Sequence, residues 1–293
     1  MSDEIQNKKM MRYYVVDAFT SEAFGGNPAG VVLLGQDGTF PDDKLMERIA
    51  AELRYSETAF VRQDGPEEFT VRYFTPCDEV DLCGHATIAT FGVLRQEGLV
   101  AGDAMCLNHT LAGDLQVRTA EQVMMQMAAP RVIDKAIDIQ RLHDVMAGNA
   151  AVCWSSMPVK IVSTGLPDII LPVDGVEGLD ALQPDMAALA ALSKELEMTG
   201  VHAFAIADDG YTAHVRNFAP LYGIPEESAT GTANAALTHY LQLTGLVSPL
   251  NECRFLQGEK MGRRSVVTTM IDAAGDVWVG GNSRIIARGD LMI

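Results

Sequence analysis

Basic residues are scarce in this chain: 22 Lys and Arg stand against 39 Asp and Glu, a formal net charge of −17. So acidic a surface repels a phosphate backbone and an anionic membrane alike, so neither nucleic acid nor a lipid surface is an expected partner. Long apolar runs are missing too. No stretch approaches the roughly 18 apolar residues that cross a bilayer. The opening "MSDEIQNKKMM" lacks the apolar segment of a secretory signal, so the expected location is the cytoplasm. The five cysteines, Cys77, Cys83, Cys106, Cys153 and Cys253, are odd in number and scattered. That suits reduced thiols better than a disulfide framework, and no pair shows zinc-ligand spacing. "GGNPAG" lacks the glycine spacing and the strand–loop–helix context of a dinucleotide or phosphate loop. No flavin, nicotinamide or metal is expected.

What is present is an ample apolar content, 48% over 293 residues, enough for one large domain or two of ordinary size. It is arranged as an order of elements that occurs twice. "RYYVVDAF" reads as a strand, "GGNPAG" as a turn or loop, and "VVLL" as a strand. "PDDKLMERIAAEL" places Leu45, Met46, Ile49, Ala50 and Leu53 on one helical face. "SETAFVRQDGPEEFTVRYFTP" is a hairpin in which Phe69, Val71 and Tyr73 alternate with polar residues, and "GHATIATFGVLRQEG" is a helix closed by Gly98. The second half answers with "VKIVSTGLPDIILPV" as two strands and "DMAALAALSKEL" as a helix. A hairpin around Asp209-Gly210 and the helix "GTANAALTHYLQLTG", closed by Gly245, complete it. Arg72-Tyr-Phe-Thr-Pro76 matches Arg216-Asn-Phe-Ala-Pro220, and His85 stands as far from Gly98 as Thr232 does from Gly245. The expectation is two homologous α+β halves, each a mixed or antiparallel sheet wrapped on a long helix. They are read as residues 1–128 and 129–293, the last strand free to return to the first half. The methionines of "VMMQMAAP", near the boundary, read as core filler at a strand end.

If a pseudo-twofold axis relates the halves, the loops "DLCGH" and "EESATGT" face each other across a cleft. The helix starts at Gly84 and Gly231 would then offer backbone N–H groups to a small carboxylate. Local donors of this kind can hold a small anionic metabolite on an acidic protein. Titratable groups near those starts are Glu57, Cys83, His85 and Glu227. Glu57, between Ser56 and Thr58, is a functional carboxylate or a surface turn residue. Cys83 is a thiolate stabilised by the helix start or a buried small hydrophobe. His85 orients substrate and shuttles protons, or caps the helix. Glu226 and Glu227 also suit a helix N-terminus electrostatically.

Taken together, these stretches resemble the PhzF-like family, whose fold is that of diaminopimelate epimerase. The resemblance runs from "VDAFTSEAFGGNPAGVVLL" through "ERIAAELRYSETAFV", "VRYFTPCDEVDLCGHATIATFGVL", "STGLPDIILPV" and "VRNFAPLYGIPEESATGTANAAL" to "QGEKMGRRSVV". It implies a cofactor-independent isomerase, often a homodimer, acting on a small metabolite. The acid/base glutamate of the family's S-E-T motif falls on Glu57, and its substrate-contacting G-H pair on Gly84 and His85. Its second signature, E-D-P-x-T-G-S, falls on Glu226 to Thr232, so that Glu227 takes the place of the functional aspartate and Thr232 that of the serine. Ser228 replaces the proline, and the three changes reshape one pocket wall. The epimerase branch of the fold carries a cysteine before each long helix; here Cys83 fills the first position and Thr230 the second. An amino-acid racemase using Cys83, or a binding protein without proton chemistry, is the alternative.

Overall fold

The computed structural model describes residues 10–34 and 38–293; most of the opening stretch scanned for a signal lies outside them. Contacts divide the chain into two units, Met1–Met125 together with Asn282–Ile293, and Gln126–Gly281. In chain order the first unit holds β1 (Met10–Ala18), β2 (Asn27–Leu33), α1 (Asp43–Leu53), β3 (Thr58–Gly65), β4 (Glu68–Phe74), β5 (Glu79–Val80), α2 (Gly84–Gln96), β6 (Ala104–Thr110), β7 (Gly113–Thr119) and β8 (Val123–Gln126). The second holds β9 (Arg131–Ile133), α3 (Ile139–Ala147), β10 (Lys160–Ser163), β11 (Pro167–Pro172), α4 (Gly175–Ala181), α5 (Met186–Leu196), β12 (Gly200–Ile206), β13 (Ala213–Ala219), β14 (Ile224–Glu227), α6 (Gly231–Leu243), β15 (Cys253–Gln257), β16 (Ser265–Ile271) and β17 (Val277–Gly281). The closing strand β18 (Ser283–Met292) belongs to the first unit.

Strand pairing repeats between the units step by step. In the first, β1 pairs antiparallel with β2, β2 parallel with β3, β3 antiparallel with β4, and β4 parallel with β6. β6, β7 and β8 then follow antiparallel. In the second, β10 to β11 is antiparallel, β11 to β12 parallel, β12 to β13 antiparallel, β13 to β15 parallel, and β15, β16 and β17 antiparallel. The outer neighbour of β1 is β18 and that of β10 is β9, both antiparallel.

In each unit the strands wrap a helix. From His85 to Leu94 every residue of α2 is buried, and the helix packs on β1, β2, β3, β7 and β18. An all-round apolar helix requires such enclosure. At Gly92 the approach is so close that an added methyl would lie 1.9 Å from Ser283 Oγ. α6 packs likewise on β10, β11, β12, β16 and β17. Both helices end where expected, at left-handed Gly98 (φ 73°) and Gly245 (φ 74°). Outside the first sheet lies the amphipathic α1, burying Met46, Ile49 and Ala50. Outside the second, α3, α4 and α5 form one core through Leu142, Met146, Leu179, Leu189 and Leu192.

One local expectation is corrected. The "NPAG" part of "GGNPAG" is strand, paired with Val15–Ala18 of β1. Pro28 is tolerated there because β3 pairs with β2 only from Gly30 onward, so its missing N–H breaks no bond on that side. The strand also serves the site: Gly30 N–H donates to the carbonyl of Glu57 at 3.1 Å.

Candidate active site

In the first unit three elements converge. α1 ends at Arg54 in the left-handed conformation (φ 61°), turning the chain so that Glu57 immediately precedes β3. Cys83, in extended conformation, is the N-cap of α2, and His85 lies in its first turn. His85 Nε2 stands 3.2 Å from Glu57 Oε2 and 3.3 Å from Ser56 Oγ, and Nδ1 stands 3.4 Å from Cys83 Sγ. The contact with Glu57 is near in distance but not aligned as a hydrogen bond: among the described residues buried Glu57 Oε2 has no hydrogen-bond partner. It is therefore a carboxylate oxygen with open lone pairs, on a side chain only 19% exposed, beside an imidazole 6% exposed. Sγ, a ring nitrogen and a carboxylate oxygen of Cys83, His85 and Glu57 all lie within 4.8 Å of one another, so the same three groups could also hold a metal ion. Behind them Asn108 Nδ2 donates to Tyr73 Oη at 3.1 Å. The Thr87 hydroxyl donates to the Cys83 carbonyl, so the Tyr73 hydroxyl must donate to Thr87, each at 2.7 Å. Burial pushes the Tyr73 phenol up, which keeps that proton in place.

The second unit builds the equivalent corner with other residues. Arg216 grips Glu226 through two bonds of 2.9 Å and reaches the carbonyls of Leu179 and Leu182. Its counterpart Arg72 grips Glu79. Glu226 is thereby committed to bracing β14, whereas Glu227 lies opposite Asn217 in the ladder and accepts the Thr230 hydroxyl at 2.8 Å. Gln257 faces that corner: its Nε2 donates to the Glu227 carbonyl at 2.8 Å and to Thr230 Oγ1 at 3.1 Å, and its Oε1 accepts from Thr230 N–H at 3.1 Å. Gly258 (φ 79°) permits this approach, because a methyl there would lie 2.6 Å from the Ser228 carbonyl. The Thr232 carbonyl accepts from Thr164 Oγ1 at 2.9 Å.

Two further ionisable groups are buried beneath this corner. Desolvation first, and then the Glu227 charge, raise the Asp168 carboxyl to about 7. Its Oδ1 has no hydrogen-bond partner among the described residues. Burial lowers His202 to about 4, so at neutral pH it is an uncharged imidazole.

The two central helices share another property. Neither Cys83 nor Thr230 makes a side-chain capping bond, whereas α1, α3 and α5 are capped by Asp42, Asp138 and Asp185. Room is left at the first of these starts, where a methyl on Gly84 would meet only Met125 Sδ, at 3.9 Å. Gly231, at the second, is buried.

The structure thus gathers Glu57, Cys83 and His85 in one unit, and Glu227 and Thr230 at the α6 start, with Gly231 and Thr232, in the other. Sequence reasoning passed over Ser56, Asp168, His202, Asn217, Asn234 and Gln257. A polar Asn234 at the place that Thr87 holds in the repeated helix was the available signal.

Comparison with known proteins agrees with this architecture. Residues 16–289 match the PhzC-PhzF family, described as phenazine biosynthesis-like protein. An uncharacterized isomerase of Deinococcus radiodurans is 35% identical, covering 96% of this chain and 94% of its own length. The trans-2,3-dihydro-3-hydroxyanthranilate isomerase of Pseudomonas aeruginosa is 30% identical, covering 96% of this chain and 99% of its own. The crystal structure of a PhzF-family phenazine biosynthesis protein from Bacillus anthracis aligns with a TM-score of 0.84 at 27% identity, covering 97% of this chain and 100% of that one. A duplicated α+β chain with the epimerase-like fold and relatives named as isomerases, this protein belongs to the PhzC-PhzF family.

Proposed function

We propose that the protein is a cofactor-independent isomerase that moves a proton within a small carboxylate-bearing metabolite. The observation that carries this reading is the buried, unpartnered Glu57 Oε2 at 3.2 Å from His85 Nε2. A carboxylate oxygen with no donor on it is ready to take a proton from carbon, and it can return that proton at another position of a conjugated system on the same face. His85 holds a polar group of the substrate and steadies the carboxyl between the two transfers. The substrate carboxylate docks on backbone N–H groups at the start of α2, which the Cys83 side chain leaves uncapped. The role proposed for Glu227, with Thr232 near it, is to hold polar groups of a substrate. A two-thiol racemase is disfavoured, because the second position holds Thr230, whose hydroxyl is already given to Glu227.

The longer Glu227, with Ser228 and Thr232 beside it, points to a substrate other than that of the Pseudomonas relative. The test is a screen of small carboxylates in deuterated water, with trans-2,3-dihydro-3-hydroxyanthranilate as one member. Enzyme-dependent gain of one mass unit, lost in Glu57→Gln, is the expected result. Binding of a metabolite with no exchange at any carbon would leave a binding protein in its place.

A further inference from the structure

From Asn217 to Glu227 runs a buried chain of hydrogen bonds whose direction is fixed by main-chain groups. The Thr230 N–H can only donate, so the Gln257 atom it meets at 3.1 Å is Oε1 and the other is the NH2. That NH2 donates to the Glu227 carbonyl and to the Thr230 hydroxyl oxygen. Asn234 donates its NH2 to the Thr230 carbonyl and to Gln257 Oε1, each at 2.9 Å, which leaves Asn234 Oδ1 as an acceptor. His202 Nε2, 3.2 Å from that oxygen, must therefore carry the imidazole hydrogen. Nδ1 is left bare to accept from Asn217 Nδ2 at 3.3 Å. At the other end the Thr230 hydroxyl, already receiving a hydrogen from Gln257, has its own hydrogen free for Glu227 Oε2 at 2.8 Å. His202, Asn217, Asn234 and Gln257 are all at most 2% exposed, so water does not compete for these bonds.

The geometry points to His202 as a positioning residue for Glu227: its Nε2–H satisfies Asn234 Oδ1 and so steadies the Asn234 and Gln257 amides, whose sense the main chain sets, in the arrangement that leaves the Thr230 hydroxyl to donate to the Glu227 carboxylate. The burial that lowers His202 keeps it in that uncharged form across neutral pH. Adding a hydrogen to Nδ1 would set two donors against each other at Asn217. This deepens the role proposed for Glu227, and the readouts below need no turnover, so failure of the chain is separable from failure of the isomerase reading.

Nitrogen NMR of histidine-labelled protein at about pH 7 should show His202 with a bare Nδ1 and a hydrogen on Nε2. The reverse tautomer, or a charged ring, overturns the proposal. Carbon NMR of the Glu227 carboxyl, assigned with Glu227→Gln, gives the second readout. His202→Phe leaves the buried Asn234 Oδ1 without its donor, which loosens the Asn234–Gln257 pair behind Thr230 and should raise the Glu227 titration midpoint by roughly one unit, as loss of a donor to a carboxylate does. His202→Gln offers an NH2 in place of Nε2–H and a carbonyl in place of Nδ1, and should restore the original midpoint. Neither change alters a charged neighbour: Asp168 on β11 and the Arg216–Glu226 pair on β13 and β14 remain, and His202 itself is uncharged. Equal midpoints for the Phe and Gln variants overturn the proposal. Should His202→Phe not fold, the wild-type tautomer decides.

Discussion

His85 Nε2 lies 3.2 Å from Glu57 Oε2, a contact that ties the first turn of α2 to the start of β3. It is an electrostatic neighbourhood rather than a formed hydrogen bond, so the carboxylate keeps lone pairs for a third party. Proton transfer to and from carbon needs that freedom, which a saturated structural pair would not offer.

Glu57→Gln should therefore lower turnover by about two to four orders of magnitude, the usual range for a general base. Cys83→Ala should lose far less, because the thiol touches His85 and has no second thiol at Thr230. Substrate affinity should survive Glu57→Gln, since the backbone donors at the start of α2 remain. Isotope exchange and equilibrium binding on the two variants check this; an inactive Cys83→Ala beside an active Glu57→Gln would return the protein to racemase chemistry.

The adjacent glutamates should separate by phenotype. Glu226 is 16% exposed and pairs with an Arg216 that is 11% exposed, and breaking one side of so enclosed a pair costs about 3 kcal/mol. Glu226→Gln should show that loss in urea unfolding. Glu227→Gln keeps an oxygen that can accept from the Thr230 hydroxyl, so its larger effect should be on turnover.

Asp168 should make the fold less stable as pH rises. Its folded carboxyl is raised to about 7 from 3.8, so the folded state holds a proton that the unfolded chain releases in between. Its stabilising share is complete below about pH 4 and is lost as pH climbs through 7. Asp168→Asn should be more stable than the parent at alkaline pH by up to about 4 kcal/mol, closing to nothing near pH 4. Denaturant titrations across that range measure the gap; one that widened on acidification would contradict the raised carboxyl.

Gly92 and Ser283 should couple strongly. A methyl at Gly92 would fall 1.9 Å from Ser283 Oγ and 2.9 Å from its Cβ, and such overpacking costs about 1–3 kcal/mol. Gly92→Ala combined with Ser283→Gly should be less destabilised than the sum of the single changes by about 1 kcal/mol or more. Additive effects would mean that α2 shifts freely away from β18.

Much of this was legible in the letters. Phe69, Val71 and Tyr73 alternate because one face of β4 is buried, and Gly98 and Gly245 close helices because each takes a left-handed conformation. The repeated Arg72 and Arg216 mark equivalent braces. β5, of two residues, and β14, of four, are too short to carry a period. "NPAG" hid a strand because proline and glycine outvote it locally, and only the pairing partners restore it. Candidate residues that stand at motif positions, Glu57, His85 and Glu227, could be named in advance. Asp168, His202 and Gln257 could not, since their roles depend on which strand of β11, β12 and β15 lies beside which.

The return of β18 to the first unit bears on how the chain is made. β1 has β18 along its outer side, paired from Met10–Met292 to Ala18–Ser283, so the first-synthesised unit waits with one flank of a strand bare until residues 283–292 leave the ribosome. The second unit has every strand it needs by Gly281. Assembly would then run against the order of synthesis, with the later unit closing first and the earlier one last. During that interval the unpaired edge of β1 is where a chaperone would be needed and where premature pairing with another nascent chain would begin.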